Sequence, residues 1–211
     1  MRNIAHWTPR YIVNRIGWFL YEKRNMDKPW LTPRATELLA EMLLPTDTGL
    51  EWGSGRSTLW FARRLKHLIS IEDSREWYDI ISKRLAEQKV TNVSYHFAPR
   101  PAEDDSAINS EYVTLSSSVP DSSLGFALVD GNARAYCAEA VIPKIAAGGL
   151  LVIDNANWYF DHATHSPSSR VGQGSPSERW AAIARSLSSW RMIWTTQGIS
   201  DTAIWIRPVN A

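Results

Sequence analysis

The stretch Leu50-Glu51-Trp52-Gly53-Ser54-Gly55-Arg56-Ser57-Thr58 constrains this chain more than any other. A short apolar approach ends in a carboxylate and two glycines, and an amphipathic run follows at once. The pattern predicts a strand that turns sharply into a helix. Gly53 and Gly55 can adopt backbone angles closed to other residues, and they let a ligand come close to the main chain. Ser57 or Thr58 is placed to cap the new helix, whose free N–H groups and positive dipole end face the same ligand. A phosphate loop ending in Gly-Lys-Ser/Thr is excluded, because no lysine stands near Gly55. A dinucleotide fingerprint lacks its third glycine, whose place Thr58 holds.

Four more apolar runs follow, each leading into an amphipathic or irregular connection. His67–Glu72 predicts the second strand and Asn92–Ala98 the third. Phe126–Asp130 is a continuous apolar run, as expected for a sheet covered on both faces, and Leu150–Asn155 is the fifth strand. Gly148-Gly149 is read as the end of the preceding helix, with Pro143 bending or interrupting it. Asp73 with Glu76, and Ser175 with Pro176 and Glu178, read as the starts of two further helices. Trp190–Thr195 and Thr202–Ile206 alternate around a glycine-containing turn and predict a closing hairpin. Five βα units in succession imply a parallel, doubly wound sheet. The expected fold is therefore α/β and Rossmann-like, with seven strands, a C-terminal antiparallel hairpin and an N-terminal helical cap.

That cap comprises residues 1–46, ahead of a ligand-binding domain over 47–211, and the two form one compact unit. Ile12, Ile16, Phe19 and Leu20 share one helical face, and Thr32-Pro33 starts a second helix. Glu72 stands 21 residues after Glu51 at a strand end. In nucleoside-binding α/β folds an acidic residue at about that distance accepts hydrogen bonds from ribose hydroxyls. Residues 99–121 and 156–174 lack periodicity; loops of such length in a compact domain are usually functional or disordered.

Composition narrows the partners. The 23 basic and 22 acidic residues leave a net charge of +1, which gives no electrostatic footprint for nucleic acid or an anionic membrane. Cys137 is the single cysteine, so no internal disulfide forms and a cytoplasmic, reducing setting is expected. No apolar run is long enough for a transmembrane helix, and the first residues lack the apolar core of a signal peptide. The 11 tryptophans belong mainly to core faces, with several free to shape a pocket.

The acidic Gly-x-Gly loop, Glu72, Asp130-Gly131 after the fourth strand, and Gly148-Gly149 leading to Asp154-Asn155 form one ordered set. This set resembles class I S-adenosylmethionine-dependent methyltransferases, in particular the catechol- and sugar-type O-methyltransferases that act on small molecules. The resemblance covers about residues 47–207. It implies that Glu51, Gly53 and Gly55 contact the methionine part of S-adenosylmethionine, with Ser54 and Ser57 also binding the cofactor, that Glu72 holds the ribose, and that Asp130 lies beside the sulfonium. Metal-dependent members hold Mg²⁺ or a similar cation between residues matching Asp130, Asp154 and Asn155, and hard oxygen ligands suit that ion.

Where no metal acts, a side-chain base must take the acceptor proton. His162 and His165, in the irregular stretch after the fifth strand, are the candidates beside Asp130, with Asp161 placed to orient His162. Trp30, Trp158, Tyr159 and Phe160 are candidates to stack on a small hydroxylated substrate. Homodimers are common among enzymes of this kind. Two other functions keep parts of the pattern: a non-catalytic nucleoside-binding module, and a nicotinamide-dependent oxidoreductase.

Overall fold

The computed structural model describes residues 8–100, 102 and 104–209; residues 1–7 of the expected cap lie outside these. Seven strands form one sheet in the order β3-β2-β1-β4-β5-β7-β6. They are β1 (Thr48–Trp52), β2 (His67–Glu72), β3 (Val93–Phe97), β4 (Leu124–Val129), β5 (Ile145–Asp154), β6 (Arg191–Thr196) and β7 (Asp201–Ile206). The first five are parallel, whereas β7 runs antiparallel to both β5 and β6. The expected doubly wound sheet with a closing hairpin is the observed one.

The chain passes from β1 to β2 on one side and returns to β4 on the other. At this reversal two crossover connections leave in opposite directions. A crevice therefore opens beyond the carboxyl ends of β1 and β4, where open α/β sheets place their ligands. Leu50, Trp52, Ala127, Val129, Leu151 and Ile153 alternate on one sheet face with Phe126, Leu128, Leu150 and Val152 on the other, all buried. Both faces are covered, so β4 and the second half of β5 read as unbroken apolar runs.

Helices α1 (Pro9–Arg24) and α2 (Pro33–Met42) precede the sheet. Thr32 caps α2, with Pro33 in its first turn, and Leu31, Ala35 and Leu39 are buried against the Phe61, Leu68 and Phe126 side of the sheet. By contrast α1 has no buried residue. Helices α3 (Arg56–Ala62), α4 (Arg75–Glu87), α6 (Arg134–Val141) and α7 (Glu178–Ser186) complete the layers, and α5 (Glu111–Thr114) is a single turn. No helix among the described residues is long and apolar enough to cross a membrane.

Several boundaries differ from the sequence reading, each for a local reason. Helix α6 ends at Val141, because Pro143 has no N–H to continue it, and β5 begins at Ile145. Gly148-Gly149 thus lies inside β5 rather than closing a helix. Gly148 has φ +79°, beside an irregularity in the β4–β5 register. The cap of α4 is Ser74, whose hydroxyl accepts from Trp77 N, which frees Asp73 for another task. The cap of α7 is Ser177, two residues later than Ser175. Residues 105–118 fold into α5 flanked by two short 3₁₀ turns instead of an irregular loop.

Candidate functional site

At the carboxyl end of β1 the chain turns through Gly53, whose φ of +89° favours glycine. A Cβ there would lie 3.0 Å from the Asp130 carbonyl carbon and from Gly131 N. The loop therefore lies directly against the end of β4. Hydrogen bonds from Gly53 N to Ile71 O and from Asp130 N to Trp52 O, both 3.0 Å, fix the three strand ends together. Helix α3 starts at Gly55. Of the two expected caps Thr58 serves, from the third helical position: it accepts from Gly55 N at 3.0 Å and turns its hydroxyl proton down to Glu51 at 2.5 Å.

Glu51 is wholly buried beneath this loop. Its Oε1 accepts from Thr58 and, at 2.8 Å, from Ser70, whereas its Oε2 is buried without a partner. Burial pushes its carboxyl up to about 7, against the opposing pull of the Thr58, Ser70 and Ser57 hydroxyls. Glu72, at the end of β2, accepts four hydrogen bonds. Ser54 N (2.9 Å) and Ser54 Oγ (2.5 Å) reach Oε2, and Asp73 N (3.1 Å) and Ser74 N (2.9 Å) reach Oε1. The Ser54 hydroxyl, also 2.7 Å from Tyr95 Oη, ties the glycine loop to β2 and β3.

These elements wall a cleft of about 360 Å³ lined by Gly53, Ser54, Gly55, Ser57, Glu72 and Asp130, among others. All the cofactor-binding candidates except Glu51 line it. The cleft has further walls, of which the sequence marks only Trp30, and that as a platform for the substrate. Pro29, Trp30 and Leu31 close one side from the segment before α2. Trp77 donates its indole N–H to Ser54 O at 2.7 Å, and Asp73 accepts from Asn132 Nδ2 at 2.7 Å and Arg100 Nε at 2.8 Å. Trp77 falls at a helical spacing that marks a core face, so periodicity alone hides its position at the cleft.

A second cleft of about 390 Å³ adjoins the first, and the two share Trp30 and Asp130 as walls. Trp18 and Glu22 of α1, Asp154 and Asn155 after β5, and Gln197 of the hairpin turn complete it. Thr32, behind this cleft, ties the segment that carries Trp30 to β7 and Asp154. Thr32 N donates to Thr202 Oγ1 at 3.2 Å, and Thr202 in turn donates to Asp154 Oδ1 at 2.6 Å.

Between the ends of β4 and β5 lies Arg134, in the first turn of α6. Its guanidinium reaches five acceptors: Gly131 O, Asp154 O, Asn155 Oδ1, Asp130 O and Asp130 Oδ1, at 2.6–3.0 Å. All five guanidinium donors of the fork are thereby engaged. Burial raises the carboxyls of both Asp130 and Asp154, with Arg134 pulling each back. Asp130 keeps 27% of its side chain exposed, toward the clefts.

This arrangement does not fit the expected divalent cation. Asp130, Asp154 and Asn155 do converge, yet Oδ1 of Asp130 and of Asn155 are held by a permanent cation and Oδ1 of Asp154 by Thr202. Among the described residues no group of three His, Cys, Asp or Glu side chains is placed to hold a metal.

The histidines stand elsewhere. His162 stacks on Trp194, ring centroids 4.1 Å apart, and lines a separate aromatic pocket, while His165 lines a depression beside Tyr11 and Asn14. Neither lines the two joined clefts. Asp161 accepts from Gly172 N and Gly174 N rather than orienting His162. Of the four stacking candidates, Trp30 alone walls the clefts. Tyr159 and Phe160 pack on Trp180, and Trp158 meets Tyr159 edge-on.

The strand order, the glycine loop at the reversal and the closing hairpin together define the class I methyltransferase fold. Solved structures agree. A methyltransferase-like protein from Silicibacter pomeroyi matches with a TM-score of 0.56 at 23% identity, over 86% of this chain and 90% of that one. A provisionally described caffeoyl-CoA O-methyltransferase from Staphylococcus aureus matches with a TM-score of 0.56 at 15% identity, over 97% and 95%. A SAM-dependent methyltransferase from Aquifex aeolicus matches with a TM-score of 0.50 at 13% identity, over 87% and 95%. No protein-family model matches the sequence, and neither does any curated protein.

Proposed function

We propose that this protein transfers the methyl group of S-adenosylmethionine to a hydroxyl of a small molecule. The carrying observation is the pair of joined clefts that share Asp130. One is built on the glycine loop and Glu72; the other is walled by Trp18, Glu22 and Asp154. The first suits a nucleoside with a zwitterionic tail. Glu72 supplies acceptors at the strand end, a ribose hydroxyl replacing the one Ser54 now contributes. Glu51, buried beneath the loop and outside the cleft wall, accepts from Thr58 and so holds the start of α3 in place under the ligand.

In this reading the acceptor oxygen attacks the methyl carbon in line with sulfur. The carbon–sulfur bond breaks, sulfur keeps the electron pair, and S-adenosylhomocysteine leaves as a neutral thioether. The acceptor's proton passes to Asp130, whose carboxyl burial has made a stronger base than an exposed aspartate. Arg134 holds Asp130 by Oδ1 and by its own backbone carbonyl, which fixes the carboxylate at the junction of the clefts. Most of the acceleration comes from that alignment.

The test is incubation of the protein with S-adenosylmethionine and a panel of hydroxylated small molecules, with S-adenosylhomocysteine and methylated product followed by mass spectrometry. Turnover that persists after exhaustive chelation supports the reading with Asp130 as base. Formation of a methylated amine or thiol instead would transfer the reading to another nucleophile. Binding of NAD in place of S-adenosylmethionine would overturn it.

A further inference from the structure

Helix α1 has two unlike faces. Tyr11, Asn14, Trp18, Tyr21 and Glu22 turn toward the body of the protein; Trp18 and Glu22 line the cleft beside Asp130, and Glu22 pairs with Arg56 at 3.7 Å. The opposite face carries Ile12, Val13, Ile16, Phe19 and Leu20, exposed by 43–67%. Five large apolar side chains on one helical stripe with nothing described over them form an unpartnered surface. The other exposed residues of α1 are Pro9, Gly17 and four cations, Arg10, Arg15, Lys23 and Arg24. Arg15 stands one turn from both Ile12 and Phe19, and Arg24 one turn from Leu20, so basic groups flank the stripe on each side. Lys23 lies over the Phe19 ring at 4.4 Å. The only acid in the helix, Glu22, is on the protein-facing side.

We infer that α1 docks this protein on an anionic lipid surface, its apolar stripe in the acyl boundary and its cations among the headgroups. An amphipathic helix lying in the interface plane needs an apolar face bordered by lysine and arginine, and α1 supplies both. Charge decides among the occupants. A second copy of the same face would bring eight cations together with no exposed acid between them, whereas an anionic bilayer attracts each one. The whole-chain charge of +1 conceals this local excess. Because the same helix walls the cleft on its inner side, docking sets that cleft at the bilayer surface. The inference stands independently of the methyl-transfer reading.

The experiment is vesicle flotation of the full chain with phosphatidylglycerol–phosphatidylcholine vesicles and with phosphatidylcholine alone, at low and high salt. The protein is expected to float with the anionic vesicles at low salt and to stay behind with the neutral ones. The pair Ile16→Asp and Phe19→Asp, both at exposed positions, should weaken anionic binding by at least about tenfold, with an unchanged circular dichroism spectrum. The pair Arg15→Glu and Lys23→Glu should abolish the preference for anionic lipid. Absence of flotation with anionic vesicles, or full flotation of the Ile16/Phe19 variant, would overturn the inference. A dimer in sedimentation that this variant dissolves would overturn it too, by assigning the face to a second copy.

Discussion

Two carboxylates at the β1–β2 end of the sheet's carboxyl edge, Glu51 and Glu72, are satisfied in the opposite way to Asp130 at the β4–β5 end, whereas Asp154 accepts from the neutral Thr202 hydroxyl. At β1 and β2, Glu51 and Glu72 accept from neutral hydroxyls and backbone N–H groups of their own neighbourhood. At β4 and β5, Asp130 and Asn155 receive one arginine, and the carbonyls around them receive the rest of its fork. Neutral donors leave the first pair free to exchange partners: a ribose hydroxyl can replace the Ser54 hydroxyl at little cost, because one neutral donor substitutes for another. A guanidinium cannot be exchanged in that way. The β1–β2 half is therefore suited to take up and release a ligand, and the β4–β5 half to hold one base in a fixed place.

Removal of the base gives the largest effect that the contrast predicts. Asp130→Asn should lower turnover by about 10²–10⁴-fold while S-adenosylmethionine affinity changes little, as measured by product formation and calorimetry side by side. An equal loss in both would make Asp130 a binding residue instead. Next comes the clamp. Arg134→Ala leaves buried acceptors and a carboxylate uncompensated and should cost about 3–5 kcal/mol in urea unfolding, with Arg134→Lys recovering part of it. A near-neutral Arg134→Ala would dissolve the distinction between the halves.

The smallest effect concerns pH. The Glu51 carboxyl titrates at about 7 in the fold against 4.5 as its ordinary value, so the fold favours its protonated form. The stability this gives is fully present below about pH 4.5 and is lost as pH rises through about 7. Asp130 and Asp154 are shifted in the same direction and add to the trend. Glu51→Gln should accordingly show a shallower fall in unfolding midpoint across that window than the unaltered chain. An unchanged slope would mean that Glu51 stays ionised beneath the loop.

The same contrast explains what could be read in the sequence. The β1–β2 half is local: the glycine loop and the acidic residue after β2 lie within 22 residues of one another, and their chemistry shows in the residue order. The adjoining cleft draws on residues 18, 22, 30, 130, 154 and 197, which only the folded sheet brings together. Asp130, Asp154 and Asn155 converge as their spacing suggests, yet the residue order does not show that the Arg134 guanidinium already holds an oxygen of Asp130 and of Asn155. His162 and His165 sit in a stretch adjacent in sequence to β5. That stretch is instead tied to the hairpin, through Ser166 donating to Asp201 and His162 stacking on Trp194, and carries both imidazoles away from the clefts. The apolar stripe of α1 shows in the sequence as a period; its exposure does not, since burial depends on what the rest of the chain supplies.

The most direct measurement is a calorimetric titration of S-adenosylmethionine into the unaltered protein and into Glu72→Ala. Loss of a carboxylate that serves both ribose hydroxyls should weaken binding by at least about tenfold, because hydrogen bonds to a charged acceptor are among the stronger ones. Micromolar binding by the unaltered chain with that loss in the variant is the result predicted here. Absence of binding by the unaltered chain, or equal affinity in both proteins, would contradict the assignment of the glycine-loop cleft to S-adenosylmethionine.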